Sequence, residues 1–311
     1  MTGTVLGDIG GTNARFTVAR RPGELGDIVR FPTADFATFD DALRGFLDEN
    51  PDKEITRAAV AVAGPVSDGA AVMTNSDWTV SVRGLRDGFG FEAASVLNDF
   101  AANAMAVPLL QPDDVDTING GQAIEGAPIA VIGPGTGLGV AALVPGENGP
   151  AVVPTEGGHV AMAPADDEEY ELLQILRREF GHVSAERVLS GQGIVNLYRA
   201  LAAVRNLPAV FADPAEITGA MDSDELAAET VSRFFAMLGG FVGDTALTLG
   251  ARGGVYLMGG ILPRLGERLQ ASSFLDRVQA KGRFRDYLRD IPIKLAVHEN
   301  PALLGLSTLA K

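Results

Sequence analysis

Cysteine is absent from the 311 residues, which excludes disulfides, iron–sulfur clusters and cysteine-based zinc sites and gives no sign of an oxidising compartment. Histidine is scarce as well. His159, His182 and His298 never approach the spacing of paired metal ligands, so a structural metal is not expected. Aromatics make up 6% of a chain that is 46% hydrophobic and holds 38 glycines, which points to cores of Val, Ala, Leu and Ile broken by tight turns, as in α/β proteins. Positive charge is in deficit, with 25 Lys and Arg against 40 Asp and Glu. The resulting net charge of −15 repels polyanions, so neither nucleic acid nor an acidic membrane surface is expected as a partner. A nucleotide is still allowed, because backbone N–H groups and a divalent cation can hold a few phosphates locally. No basic stretch precedes the first apolar segment, so no signal peptide is expected. The one long uncharged stretch, Gly126 to Gly146, contains six Gly and three Pro and reads as two short buried strands around a turn, not a membrane span. A cytoplasmic location is expected.

A length of 311 residues favours two domains, since single cores stop growing at roughly 250 to 300 residues. A weak duplication supports two related halves. Residues 5–18 and 131–144 both read as apolar strand, Gly-rich turn and apolar strand, and at an offset of 126 Gly7 matches Gly133 and Gly11 matches Gly137. Between them, Phe39 to Leu47 has helical spacing, Ala58 to Ala63 is a buried-strand run ended by Gly64-Pro65, Ala94 to Leu97 reads as a strand and Phe100 to Val107 as a helix. The polar stretch Gln111 to Gly121 separates the halves. Downstream, a helix is predicted over Ala165 to Gly181, capped by Asp166 and ended by Arg177, Arg178 and Gly181. Further helices are predicted from about Ser184 and over Ser223 to Leu249, and a strand over Gly254 to Met258 running into Gly259-Gly260.

The chain lacks G-x-x-x-x-G-K-[ST], G-x-G-x-x-G and G-x-S-x-G, so Walker-type, Rossmann and serine-hydrolase readings have no signature. What it has is a turn between apolar runs, Asp8-Ile9-Gly10-Gly11-Thr12-Asn13-Ala14-Arg15, where glycines allow close approach to a phosphate, Thr12 and Asn13 offer donors, and Asp8 could hold a hydrated Mg²⁺. Taken alone, such a segment is equally an ordinary hairpin turn. Gly133-Pro134-Gly135-Thr136-Gly137-Leu138-Gly139 is its counterpart in the second half, and Gly259-Gly260 follows the late strand.

Together these segments resemble the sugar-kinase, actin and Hsp70 superfamily: D-x-G-G-T-N-x-R its first phosphate motif, Gly133 to Gly139 its second, and Gly253 to Pro263 its adenosine motif. Leu97-Asn98-Asp99-Phe100, Glu156-Gly157-Gly158-His159 and Ser184 to Gly191 further resemble the bacterial hexokinase-family glucokinases, nearly over the full chain and in order. The resemblance implies an actin-like ATPase fold of two α/β domains flanking a cleft, each on a ribonuclease H-like sheet. The smaller domain would be 1–108 with a C-terminal helix, 299–311, returning to it, and the larger 109–298. It implies phosphorylation of D-glucose to glucose 6-phosphate with ATP and Mg²⁺, the first step of glycolysis, with another hexose as the alternative acceptor. A homodimer is common in that family.

By the same resemblance, Asp99 is the general base for the sugar 6-hydroxyl, and Asn98, Asp99, Glu156, His159 and Glu186 bind the sugar. Gly7, Asp8, Ile9, Gly10, Gly11, Thr12, Asn13, Gly135, Thr136, Gly137, Gly259 and Gly260 meet the nucleotide, with Asp8 acting on Mg²⁺ through water. The residue types suit these roles: carboxylates accept from vicinal hydroxyls, and amide and imidazole groups both donate and accept. Without the resemblance, Asp99 reads equally as the N-cap of the helix that follows, and Glu186 as a first-turn charge on a helix capped by Ser184. His182 and His298 are expected to be structural. The repressor, open reading frame, kinase family shares the fold, but this chain lacks its zinc-binding cysteine cluster. A transcription repressor would need an added helix-turn-helix, for which Asp8 leaves no room ahead of the first strand, and a chaperone or filament ATPase would lack the sugar residues.

Overall fold

Both duplicated segments fold as antiparallel hairpins, and each hairpin seeds a sheet. The computed structural model describes residues 2–51, 54–73, 78–147 and 149–310. The chain divides into two compact units, Met1–Pro112 with His298–Lys311, and Asp113–Val297.

In the first unit, strands β1 (Gly3–Ile9), β2 (Asn13–Ala19), β3 (Val29–Pro32), β4 (Ile55–Val62) and β7 (Ala93–Asn98) form a five-stranded sheet in the order β3-β2-β1-β4-β7, and β5 (Ala70–Val72) pairs with β6 (Thr79–Ser81). β1 is central and almost wholly buried, antiparallel to β2 and parallel to β4, which explains its mostly apolar sequence. One face is covered by α1 (Phe39–Glu49), which turns Phe39, Ala42, Leu43 and Phe46 inward at helical spacing and stacks Phe46 on Phe16 of β2 at 5.5 Å. α2 (Val82–Phe89) is capped by Ser81 and stopped by Gly90 in the left-handed region, φ 74°. The other face is covered by α3 (Asp99–Ala106) and the C-terminal helix Pro301–Leu306, whose Ala302, Leu303 and Leu306 join Leu6, Ala59, Ala61 and Ala102 in one core. The two helices touch at Gly305, where a Cβ would lie 1.8 Å from the Ala102 carbonyl oxygen.

The second unit repeats the arrangement. β8 (Val115–Asn119), β9 (Ile129–Pro134), β10 (Leu138–Val144), β11 (Ala151–Thr155), β12 (Gly254–Leu257) and β13 (Ile293–Ala296) form a six-stranded sheet, β11-β10-β9-β12-β13-β8. The β9–β10 hairpin is followed by parallel β12 and β13, as β1–β2 is by β4 and β7. Around it pack α4 (Asp167–Phe180), α5 (Gly191–Arg205), α6 (Pro214–Ala220), α7 (Glu225–Leu249), α8 (Gly266–Ala271), α9 (Phe274–Gln279) and α10 (Arg285–Arg289).

Three expectations are corrected. The stretch from Gln111 to Gly121 is not merely a polar connection: Val115–Asn119 is an edge strand paired antiparallel with β13. The helix expected from Ser184 begins at Gly191, capped by Ser190, because Ser184 to Leu189 closes only single turns and then doubles back, with Gly193 against the Val188 main chain. The helix expected from Ser223 begins at Glu225 with Asp224 as its cap. Among the described residues no helix is long and apolar enough to cross a membrane.

Candidate active site

In the first unit, Asp8 stands near the end of β1, directly across the ladder from Arg15, whose Nη1 donates to Asp8 Oδ2 at 2.8 Å. Burial pushes the Asp8 carboxyl above the ordinary carboxylate range, against the opposing pull of the Arg15 guanidinium. Beyond it the turn is shaped by its own backbone: Gly10 N–H donates to the Asn13 carbonyl at 2.9 Å, and Gly11 and Thr12 stand exposed at the tip. Thr33 fixes that tip, its hydroxyl donating to the Gly11 carbonyl and its N–H to that of Thr12, both at 3.0 Å. Asn13 Oδ1 accepts from Arg30 Nε at 2.9 Å. Gly7 and Ile9 are buried. A Cβ at Gly7 would meet the Phe16 ring at 3.2 Å, and Ile9 lies in the core, so both serve the strand that carries the turn.

Asn98 ends β7 and is the N-cap of α3, its Oδ1 accepting from the N–H groups of Phe100 at 2.9 Å and Ala101 at 3.2 Å. Its Nδ2 donates to the Gly64 carbonyl at 3.1 Å. The capping role read for Asp99 therefore belongs to its neighbour. Asp99 is the first helical residue, half-buried, with Oδ1 accepting from the Phe100 N–H at 2.9 Å.

In the second unit, the turn Gly135-Thr136-Gly137 joins β9 to β10, with the Gly135 N–H donating to the Gly137 carbonyl at 2.8 Å and Thr136 exposed. A Cβ on Gly135 or Gly260 would meet nothing within 4 Å, so both positions border open space. Gly259 is different: φ is 94°, and a Cβ would strike the Pro134 carbonyl at 2.5 Å, so it lets the end of β12 lie against β9.

β11 leads into the exposed Glu156 and His159, which precede and end a short helical turn, Gly157–His159. His159 Nε2 lies 3.9 Å from Glu156 Oε2. Thr155 holds this loop to β10 through a hydroxyl bond to the Val140 carbonyl at 2.8 Å, and the His159 carbonyl is 3.1 Å from His182 Nε2. Glu186 joins loop and turn: Oε2 accepts from Leu138 N–H at 2.9 Å, and its own N–H donates to the Gly158 carbonyl at 2.8 Å.

Sequence reasoning did not find Thr33, Arg30 or the His182 contact, because each reaches its partner, the Gly11 and His159 carbonyls or the Asn13 side chain, from a separate element. Arg15 stood inside the quoted motif, and its position seven residues from Asp8 across a hairpin was the signal for the ion pair. Among the described residues no three acidic or histidine side chains converge as a metal cluster. A single carboxylate beside an open glycine turn suits a cation held largely by phosphate oxygens and water, as Mg²⁺ is.

The family model for glucokinase matches residues 5–311. A glucokinase of Nitrobacter hamburgensis is 46% identical over 308 residues, 98% of this chain and 96% of that protein. The bifunctional protein glk of Burkholderia orbicola is 44% identical over 307 residues, 98% of this chain but 48% of that protein, so the chain spans about half of that relative's length. Among solved structures, the glucokinase from an Antarctic psychrotroph superposes with a TM-score of 0.91 at 39% identity, over 100% of this chain and 99% of that one. The two mixed sheets with their paired hairpins thus form the actin-like ATPase fold, and the chain belongs to the glucokinase family.

Proposed function

We propose that this chain is a glucokinase that transfers the terminal phosphoryl group of ATP to the 6-hydroxyl of D-glucose. The observation that carries the reading lies in the second unit. Glu186 bonds the residue that follows the Gly135–Gly137 turn through its side chain and the loop carrying Glu156 and His159 through its N–H, so hydroxyl-matching side chains are tied to a glycine turn, and a polyol kinase needs both. Family membership over residues 5–311 supports it further.

In this mechanism Asp99 takes the proton of the 6-hydroxyl as its oxygen bonds to the γ-phosphorus and the bond from phosphorus to the bridging β,γ oxygen breaks, leaving ADP. Asn98, Glu156, His159 and Glu186 orient the sugar, so that little of the barrier is spent on alignment. Gly10, Gly11, Thr12, Asn13, Gly135, Thr136, Gly137, Gly259 and Gly260 receive the nucleotide through backbone groups. Asp8 would hold Mg²⁺ through water, and the cation supplies charge neutralisation on the phosphates. The enzyme would act in the cytoplasm at the head of glycolysis.

A coupled assay over a panel of hexoses and phosphoryl donors tests the reading. Glucose with ATP should give the highest kcat/KM, epimers that misplace one hydroxyl should be poor, and EDTA should abolish turnover until Mg²⁺ is restored. Preference for another hexose would move the assignment to a different sugar kinase on the same fold.

A further inference from the structure

Glu186 has a second connection that sugar reading alone does not require. Its Oε2 accepts the N–H of Leu138, the residue immediately after the Gly135–Gly137 turn, at 2.9 Å. A Cβ on Gly137 would come within 2.4 Å of that same oxygen, so the turn is shaped around the carboxylate. The main chain closes the circuit on both sides. Glu186 N–H donates to the Gly158 carbonyl at 2.8 Å, and Gly158 lies so close to Leu138 that a Cβ would sit 2.1 Å from its carbonyl oxygen. The Glu186 carbonyl accepts from Ser190 Oγ at 2.8 Å, Ser190 caps α5, and the first residue of α5, Gly191, donates its N–H to the Gly135 carbonyl at 2.8 Å. The turn is therefore held at both ends by the segment Glu186 to Gly191.

We infer that Glu186 is a positioning residue for the Gly135–Gly137 turn as well as a sugar reader, so that nucleotide affinity and sugar affinity depend on one carboxylate. An ionised carboxylate offers about four acceptor sites. Leu138 N–H takes one, and the rest can serve sugar hydroxyls. A carboxylate displaced from the turn is displaced from the hydroxyls it reads as well, and its removal leaves the N–H of the buried Leu138 without its acceptor. The inference rests on the sugar-reading role proposed above, and the two fail differently.

The test is isothermal titration of each ligand in the absence of the other, glucose alone and the non-hydrolysable analogue AMP-PNP alone with Mg²⁺, for wild type, Glu186→Ala, Glu186→Gln and Gly137→Ala. Glu186→Ala should weaken both ligands, each on the order of tenfold. Glu186→Gln should restore AMP-PNP affinity, since its amide oxygen can still accept from Leu138, while glucose stays weak. Gly137→Ala, which touches no sugar group, should weaken glucose by a comparable factor, and it tests the link independently if the alanine variant at 186 does not fold. AMP-PNP affinity within twofold of wild type in Glu186→Ala, or glucose affinity unchanged in Gly137→Ala, overturns the positioning role and leaves sugar reading intact. Unchanged glucose affinity in Glu186→Ala removes the sugar role itself.

Discussion

At the start of α3 the side chain of Asn98 already satisfies the first helical N–H groups, so the carboxylate of Asp99 is not needed for capping. This separates binding, folding and chemistry at one position. Asp99→Asn should leave the thermal midpoint and the glucose Kd close to wild type, while kcat falls by about 10²- to 10⁴-fold, because an amide cannot take the hydroxyl proton. A fall in kcat of less than about tenfold with an unchanged midpoint would remove Asp99 as the base. On the nucleotide side, Gly135→Val should fold normally, since no protein atom lies within 4 Å of the added Cβ, yet raise the KM for ATP by intruding where a phosphate would lie. Gly259→Val differs, because φ is 94° and the Cβ meets the Pro134 carbonyl at 2.5 Å, so lost stability should accompany lost activity. Candidate residues could be named from the sequence because the motifs are contiguous. Which oxygen bonds which N–H could not, as at Glu186 and Leu138, where the partners are brought together only by the fold.

The helical elements show where local signals suffice. Asp166 was readable as the cap of α4, and its Oδ1 accepts the Glu169 N–H at 2.8 Å. The tertiary half of that device was not readable: Arg233 and Arg277 reach over from α7 and α9 to Asp166 and to the fully buried Glu169. Partial burial raises the Asp166 pKa, but the Glu169 N–H and the charges of Arg233 and Arg277 outweigh it and hold the carboxyl below its usual range. A carboxyl lowered in the folded state stabilises the protein above its unfolded pKa, and that contribution fades as pH falls through the folded value. Asp166→Ala should therefore lower the unfolding free energy near neutrality by about 1 kcal/mol for the lost cap, and the gap between variant and wild type should narrow in acid. A gap independent of pH down to strong acid would show that the charge contributes nothing. The start of α5 misled sequence reading because Ser184 and Ser190 are both followed by helical turns, and only the approach of Gly193 to the Val188 main chain decides between them. β8 was missed because its partners in β13 lie about 180 residues away and its own residues are mostly polar.

On the scale of the whole molecule, the duplication seen in fourteen residues extends to two sheets of the same pattern, an antiparallel hairpin followed by parallel strands. The return of the C-terminal segment is the feature on which the first unit depends. Gly305→Val should force the C-terminal helix from α3, costing on the order of 1–3 kcal/mol or more through overpacking, and kcat should drop with stability because α3 begins at Asp99. Removing residues 298–311 should go further. Leu6, Ala59, Ala61 and Ala102 would lose their cover, and limited proteolysis should cut within 1–112 while 113–297 resists. Equal resistance of both parts would show that the first unit stands without its last helix.

That arrangement has a consequence for how the protein is made. Residues 2–112 are translated before the helix that completes their core, which follows only after the whole of 113–297. At about 5–20 residues per second, the first unit waits roughly 10 to 40 s with one apolar face of its sheet covered by α3 but not by the C-terminal helix. The second unit has its whole chain in that interval while the first still lacks part of its core, so the half carrying Asp99 is the half exposed to chaperones and to aggregation during synthesis.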